Sequence, residues 1–316
     1  MTPCPLGRTG LTAAPLMLGG NVFGWTADRE ESCAILDAFV DAGGALIDTA
    51  DVYSAWVQGN AGGESETLIG EWLRRSGKRE QVLIATKVGL LPGAGGKGLS
   101  ASRIAGAVEE SLQRLGTDRI DVYFAHRDDP ETPLEETLDA FDRLVKAGKV
   151  RVLGASNYAP DRLDAALAVS DANGWARFAV IEPRYNLLER DTYEGALQEI
   201  ALREGLGVVP FYALANGLLT GKYRSLDDIA GHPREVYLRP IFLRPEVPRL
   251  IAAMEQVSRE TAASMVAVAI AWMLAQPGVT APIASVSRPE QLGDLVAGTR
   301  LTLDATHLAV LDKALA

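Results

Sequence analysis

Two apolar runs in this chain end in residues that a buried strand has little reason to carry. Ile84-Ala85-Thr86-Lys87 closes on a lysine, and Val122-Tyr123-Phe124-Ala125-His126 on a histidine. Burying either group without a partner is costly. Other apolar runs behave alike: Ala45-Leu46-Ile47 leads into Asp48 and then Tyr53, Val150-Arg151-Val152-Leu153 into Ser156 and Asn157, and Ala179-Val180-Ile181 into Glu182. Taken singly, each polar residue has an ordinary role: Asp48 a cap, Tyr53 a rim aromatic, Lys87 a surface cation, His126 a satisfied core histidine. Taken together, an acid, a phenol, an amine and an imidazole are groups that give and take protons, provided their strand ends meet.

The elements that must bring them together alternate regularly. Candidate strands are 16–18, 45–47, 82–85, 120–124, 150–153, 179–181, 207–210 and 280–283, with amphipathic helices over 31–42, 64–75, 102–115, 134–147, 160–170, 193–204 and 262–275. Strand-then-helix alternation is the pattern of a parallel sheet covered by helices. Gly43, Gly77, Gly116, Gly148, Gly174 and Gly205 each follow a helical run where a left-handed cap is expected. Thr132-Pro133-Leu134-Glu135 reads as a helix start with Thr132 as N-cap. No Pro/Gly/Ser-rich linker divides the 316 residues, so one closed α/β barrel over 1–316 is favoured over two domains. In such a barrel the C-terminal strand ends converge on one mouth. The stretches 53–63, 91–98 and 224–248 are too long for ordinary connections, and long loops of this kind are usually functional.

Composition narrows the function. The net charge of −10 argues against broad binding to nucleic acid or anionic lipid. No apolar run of about 18 residues is present to span a bilayer, and the start lacks a charged segment followed by an apolar one, so a cytoplasmic protein without a membrane partner is expected. Cys4 and Cys33 are the two cysteines, too few for a disulfide framework, and no Cys/His spacing suggests a metal site. Small-molecule chemistry is favoured.

Here the chain resembles the aldo-keto reductase superfamily. The resemblance runs from Leu6-Gly7-Arg8-Thr9-Gly10 to Ser287-Arg288-Pro289-Glu290-Gln291-Leu292. It is carried by Ile47-Asp48-Thr49-Ala50-Asp51-Val52-Tyr53, Ala85-Thr86-Lys87, Asp121 to His126, Gly148 to Asn157, Tyr185 to Arg190 and Gly217-Leu218-Leu219-Thr220-Gly221-Lys222-Tyr223. It implies a parallel (β/α)8 TIM barrel whose bottom is closed by an N-terminal β-hairpin, supplied here by 2–14. It also implies hydride exchange between NADP(H) and a small aldehyde, ketone or sugar. Tyr53 would be the general acid, Lys87 would lower its pKa, Asp48 would orient Lys87, and His126 would polarise the carbonyl.

The resemblance further assigns Ser156, Asn157 and Glu182 to the nicotinamide carboxamide and Phe211 to the face beneath the ring. Ala213, Leu214, Asn216, Gly217, Leu219, Gly221 and Lys222 would serve the pyrophosphate, Ser287 and Arg288 the 2′-phosphate, and Gln291 the adenine. Three positions depart from the family pattern: Glu182 replaces a usual glutamine, Phe211 a common tyrosine, and Leu295 an asparagine that often meets adenine. Candidate substrate-pocket residues are Val22, Phe23, Trp25, Tyr53, Trp56, Arg127 and Tyr237, with Arg127 suited to an anionic substituent. Two other readings compete. Some members of the superfamily are cofactor-sensing partners of membrane channels. An unrelated barrel hydrolase or lyase could use Asp48 and His126 as acid and base, but it leaves Lys87, the glycine-rich loop and Arg288 unexplained.

Overall fold

The computed structural model describes residues 1–231 and 235–315. A short antiparallel hairpin, β1 (Cys4–Pro5) and β2 (Thr12–Ala13), precedes eight parallel strands. These are β3 (Met17–Gly19), β4 (Leu46–Asp48), β5 (Leu83–Val88), β6 (Ile120–Ala125), β7 (Val150–Ser156), β8 (Phe178–Glu182), β9 (Gly207–Val208) and β10 (Ile283–Ala284). The order β10-β3-β4-β5-β6-β7-β8-β9 is that of a sheet curled on itself. Thr280 N–H donates to Val208 O at 2.8 Å and Ile283 N–H to Pro210 O at 2.8 Å, joining its two edges. The outer layer comprises α1 (Arg29–Asp41), α2 (Glu64–Ser76), α3 (Ala101–Leu115), α4 (Leu134–Lys146), α5 (Pro160–Asn173), α6 (Ala196–Glu204), α7 (Glu235–Phe242), α8 (Val247–Thr261), α9 (Met265–Leu274), α10 (Leu292–Gly298) and α11 (Ala305–Lys313). Among the described residues no single helix is long and apolar enough to cross a membrane.

The period of two along each strand explains where the polar strand ends go. Side chains alternate between faces, and the buried apolar residues fall into two clusters accordingly. Met17, Leu46, Ala85, Val122, Phe124, Val152, Val180, Val209 and Ile283 fill the barrel interior. Ile47, Ile84, Val88, Tyr123, Leu153 and Ile181 face the helices. Continuing the interior phase by two residues leads from Leu46 to Asp48, from Ala85 to Lys87, from Phe124 to His126, from Val180 to Glu182 and from Val209 to Phe211. Gly154 lies in the same series, and a Cβ there would stand 2.4 Å from the Phe124 ring, so this layer has room for one side chain where two would collide. At the opposite end Leu6, Leu11 and Ala13 of the hairpin join the interior cluster and plug the bottom.

Several local expectations shift. All six expected capping glycines have positive φ, from 63° to 86°. Thr132 is not the N-cap of α4; Pro133 holds that position, and the Thr132 hydroxyl donates to Asp129 Oδ2 at 2.8 Å. The stretch 224–248 is not irregular throughout, because it contains α7 and the start of α8. Within it Pro248 sits in the first turn of α8, where no N–H is needed. Helices α7, α8, α10 and α11 are absent from the sequence expectation, although its last helix matches α9.

Candidate active site

Lys87 is the hub of the barrel mouth and is fully buried. Its Nζ forms an ion pair with Asp48 Oδ1, donates to Thr49 O at 3.0 Å and to the Tyr53 hydroxyl at 2.7 Å, and lies 3.6 Å from Glu182 Oε2. Tyr53 in turn donates to Asp48 Oδ2 at 2.9 Å. The strand registers make this meeting possible, since Asp48 pairs with Ala85, Lys87 with Phe124 and Ser156 with Glu182. His126 follows β6 directly, its ring centroid 6.1 Å from that of Tyr53. The four residues expected to do proton chemistry thus converge, with Glu182 as a fifth.

One cation lies near two carboxyl groups and cannot serve both, and the geometry decides between them. Both Asp48 oxygens are bonded, one to Lys87 and one to Tyr53. Burial raises the Asp48 pKa, opposed by these two contacts. Glu182 Oε2 is buried without a hydrogen-bond partner, and burial pushes its pKa up to about 8, with Lys87 opposing and Asp48 adding to the rise. Glu182 is therefore the carboxyl group held neutral near pH 7. The net shift of the Tyr53 pKa is upward rather than downward as expected, although Lys87 Nζ stands against the phenol oxygen. Burial, followed by the Asp48 and Glu182 charges, holds the phenol well above 10 and so protonated. Burial and the Lys87 and Arg127 charges hold His126 well below 6.5, leaving a neutral ring with one N–H to donate.

The other expected ligand groups divide. Ser156 is fully buried, its hydroxyl donating to Glu182 O at 3.1 Å and accepting from Asn157 Nδ2 at 2.9 Å. Asn157 has φ +55°, and Nδ2 also donates to His126 O at 3.0 Å, so its side-chain oxygen is left to accept. Phe211 packs against the interior cluster in the same phase as Glu182. In the segment Ala215–Thr220, Asn216 (φ 58°) and Gly217 (φ 94°) are left-handed. The N–H groups of Gly217 and Leu219 both donate to Leu214 O, at 2.8 and 3.3 Å, so they shape this loop rather than point outward. Ala213 and Leu219 are likewise buried, whereas Leu214 and Asn216 are half-buried and Lys222 is exposed beside Gly221. Ser287 shares a hydrogen bond with Thr26 at 3.0 Å, and Arg288 is exposed with no ion pair among the described residues. Gln291 Oε1 accepts from the backbone N–H groups of both residues. Leu295 is core, not surface.

The residues expected to line the pocket differ in burial. Val22 and Phe23 are completely buried and belong to the cluster between strands and helices. Trp25 and Trp56 stand edge to face at 5.8 Å, and Trp56 lies 6.1 Å from Tyr53, giving an aromatic wall beside the phenol. Arg127 is exposed next to His126. Tyr237 is 58% exposed on α7, which packs against Ala215–Thr220.

Residues 15–316 match the model of the Aldo/keto reductase family. The chain is 36% identical to the uncharacterized oxidoreductase YrpG of Bacillus subtilis, over 97% of this chain and 94% of that one. It is 31% identical to the L-glyceraldehyde 3-phosphate reductase of Escherichia coli K12, over 98% and 91%. It is 30% identical to a probable voltage-gated potassium channel subunit beta of Arabidopsis thaliana, over 91% and 88%.

Proposed function

The chain belongs to the Aldo/keto reductase family, a family of oxidoreductases that act on carbonyl compounds with nicotinamide cofactors. From that premise we propose that it is a single-domain NADP(H)-dependent reductase of small aldehydes, ketones or sugars, with Tyr53 as general acid and base. The observation that carries this reading is the buried chain of contacts from Asp48 through Lys87 to the Tyr53 hydroxyl.

The residues present suit such a cofactor. A neutral Glu182, whose Oε2 lacks a partner, can donate to a carboxamide oxygen, while the Asn157 side-chain oxygen accepts from its N–H. Phe211 offers an aromatic face, the left-handed turn at Asn216 and Gly217 with the exposed Lys222 would line the pyrophosphate, and Arg288 is free to pair with a 2′-phosphate. When bound, the reduced nicotinamide supplies hydride to the carbonyl carbon. Tyr53 then gives its hydroxyl proton to the carbonyl oxygen, turning from Asp48 to do so. The phenolate left behind is stabilised by Lys87 Nζ, and the neutral His126 N–H orients the carbonyl. In the reverse direction the phenolate takes the alcohol proton.

Arg127 supports an anionic substituent on the substrate, since it is exposed beside His126 and has no ion pair among the described residues. A relative named as a reductase of a phosphorylated aldehyde points the same way. The test is oxidation of NADPH against a panel of neutral and anionic aldehydes. Tyr53→Phe should lower turnover by about 10²- to 10⁴-fold, leaving a measurable residual rate, while NADPH still binds by fluorescence titration. Near wild-type turnover in that variant would refute Tyr53 as the acid. Cofactor binding by the wild type without turnover of any carbonyl would favour a cofactor-sensing role instead.

A further inference from the structure

Two features of the sequence find no place in the chemistry above: the glycine-rich stretch Leu91-Pro92-Gly93-Ala94-Gly95-Gly96-Lys97-Gly98, and an arginine within the apolar stripe of α3. That stripe comprises Ile104, Ala107, Val108 and Leu115, and Arg103 is as fully buried as they are. Its Nε donates to Leu91 O at 3.1 Å, Nη1 to Ala94 O at 3.1 Å and to Glu110 Oε2 at 3.0 Å, and Nη2 to Asp51 Oδ2 at 3.2 Å.

The glycines follow from this arrangement. A Cβ on Gly93 would lie 2.7 Å from Arg103 Nη1, and one on Gly95 would lie 2.0 Å from Ser102 O. The loop is wound tightly enough around the guanidinium and the start of α3 that side chains there would collide. Its far side meets the stretch that carries Tyr53: a Cβ on Gly62 would stand 2.8 Å from Leu91 Cδ2 and 2.9 Å from Asp51 O.

Asp51 is the link. It is fully buried, and its second oxygen, Oδ1, has no hydrogen-bond partner, so Arg103 is its one side-chain partner among the described residues. Its N–H donates to Lys87 O at 3.2 Å, and Tyr53 N–H donates to Ala50 O at 3.1 Å. The backbone between Asp48 and Tyr53 is thus anchored to β5 on one side and to Arg103 on the other. A bidentate-capable, rigid guanidinium suits such a post better than a flexible ammonium.

We infer that Arg103 and Asp51 are positioning residues that clamp the loop bearing Tyr53 against the glycine-rich loop, holding the phenol between Lys87 and Asp48. The clamp acts through Tyr53, so this inference rests on Tyr53 being the proton donor. A displacement of about 1 Å in a reacting group can cost up to about 10²-fold in rate. Neither residue touches the groups proposed for the cofactor.

The experiment is steady-state kinetics on Arg103→Lys and Asp51→Asn, each alone and combined with Tyr53→Phe, alongside NADPH titration and circular dichroism. Arg103→Lys keeps the charge and loses the fork; Asp51→Asn keeps the shape and loses the charge. Folded single variants should lose on the order of tenfold in kcat with the NADPH dissociation constant within about twofold of wild type. In the Tyr53→Phe background the same changes should cost nothing further. If Arg103→Lys does not fold, Asp51→Asn and Gly62→Ala, which presses the two loops apart without removing a charge, carry the test. Unchanged kcat, a parallel loss of NADPH affinity, or an equal loss in the Tyr53→Phe background would each overturn the clamp. Tyr53→Phe alone with normal turnover would instead overturn the role of Tyr53.

Discussion

Glu182→Gln is the most informative single substitution, because it replaces the proton of a buried carboxyl group by a permanent amide of nearly the same shape. Burial lifts Glu182 from 4.5 to about 8, a gap of about 3.5 pH units, or about 5 kcal/mol at ~1.4 kcal/mol per unit. Between those two values the folded protein keeps a proton that the unfolded chain has released. Linkage then gives a stability that is full below about pH 4.5 and falls as pH rises, by up to ~1.4 kcal/mol per unit, until about pH 8. The glutamine variant lacks this slope. The two proteins should therefore be about equally stable at pH 5 and diverge upward, with the variant several kcal/mol more stable at pH 8.5 by urea unfolding. The same carboxylate, once ionised, should favour the cationic oxidised nicotinamide by about 1 kcal/mol at high effective dielectric, or ~5-fold in relative affinity. Wild-type preference for NADP⁺ over NADPH should then grow through pH 8 and stay flat in the variant. Parallel stability curves for the two proteins from pH 5 to 8.5 would refute the protonated Glu182 and the reasoning that one cation cannot serve both carboxyl groups.

Three further outcomes are expected. Arg288→Ala should narrow a preference for NADPH over NADH by about 10- to 100-fold, the range of a charged hydrogen bond; fluorescence titration with both cofactors checks it, and equal wild-type affinities would contradict it. His126→Ala should lower kcat by about 10²-fold, and the wild-type kcat profile should show no titration near pH 6.5, because burial and the Lys87 and Arg127 charges hold the ring neutral below that value; a limb at 6.5 that vanishes in the variant would contradict it. Gly154→Ala should destabilise the protein by about 1–3 kcal/mol, since its methyl group would meet the Phe124 ring at 2.4 Å; thermal unfolding measures this, and an unchanged midpoint would mean that the ring yields freely.

The residues that meet at the mouth are legible in the sequence because the signal is local. Alternation along a strand depends only on backbone geometry, so an apolar run that ends in phase on Asp48, Lys87, His126 or Glu182 announces which face each occupies. Capping glycines are equally local, and the family motifs needed no tertiary information. What a side chain faces across the barrel is a different matter. The proximity of Glu182 to Lys87 joins strands 95 residues apart, and the upward shift of the Tyr53 pKa sums burial with two carboxylates from different strands. Val22 and Phe23, read as pocket wall, belong to the buried cluster between strands and helices, whose members come from many elements. Arg103 left one faint trace, a charge in the apolar stripe of α3, but its partners lie on two loops that only packing brings together. Local geometry is set by neighbours in the chain and can be read from them, whereas burial and electrostatic environment are sums over residues that are neighbours only in space.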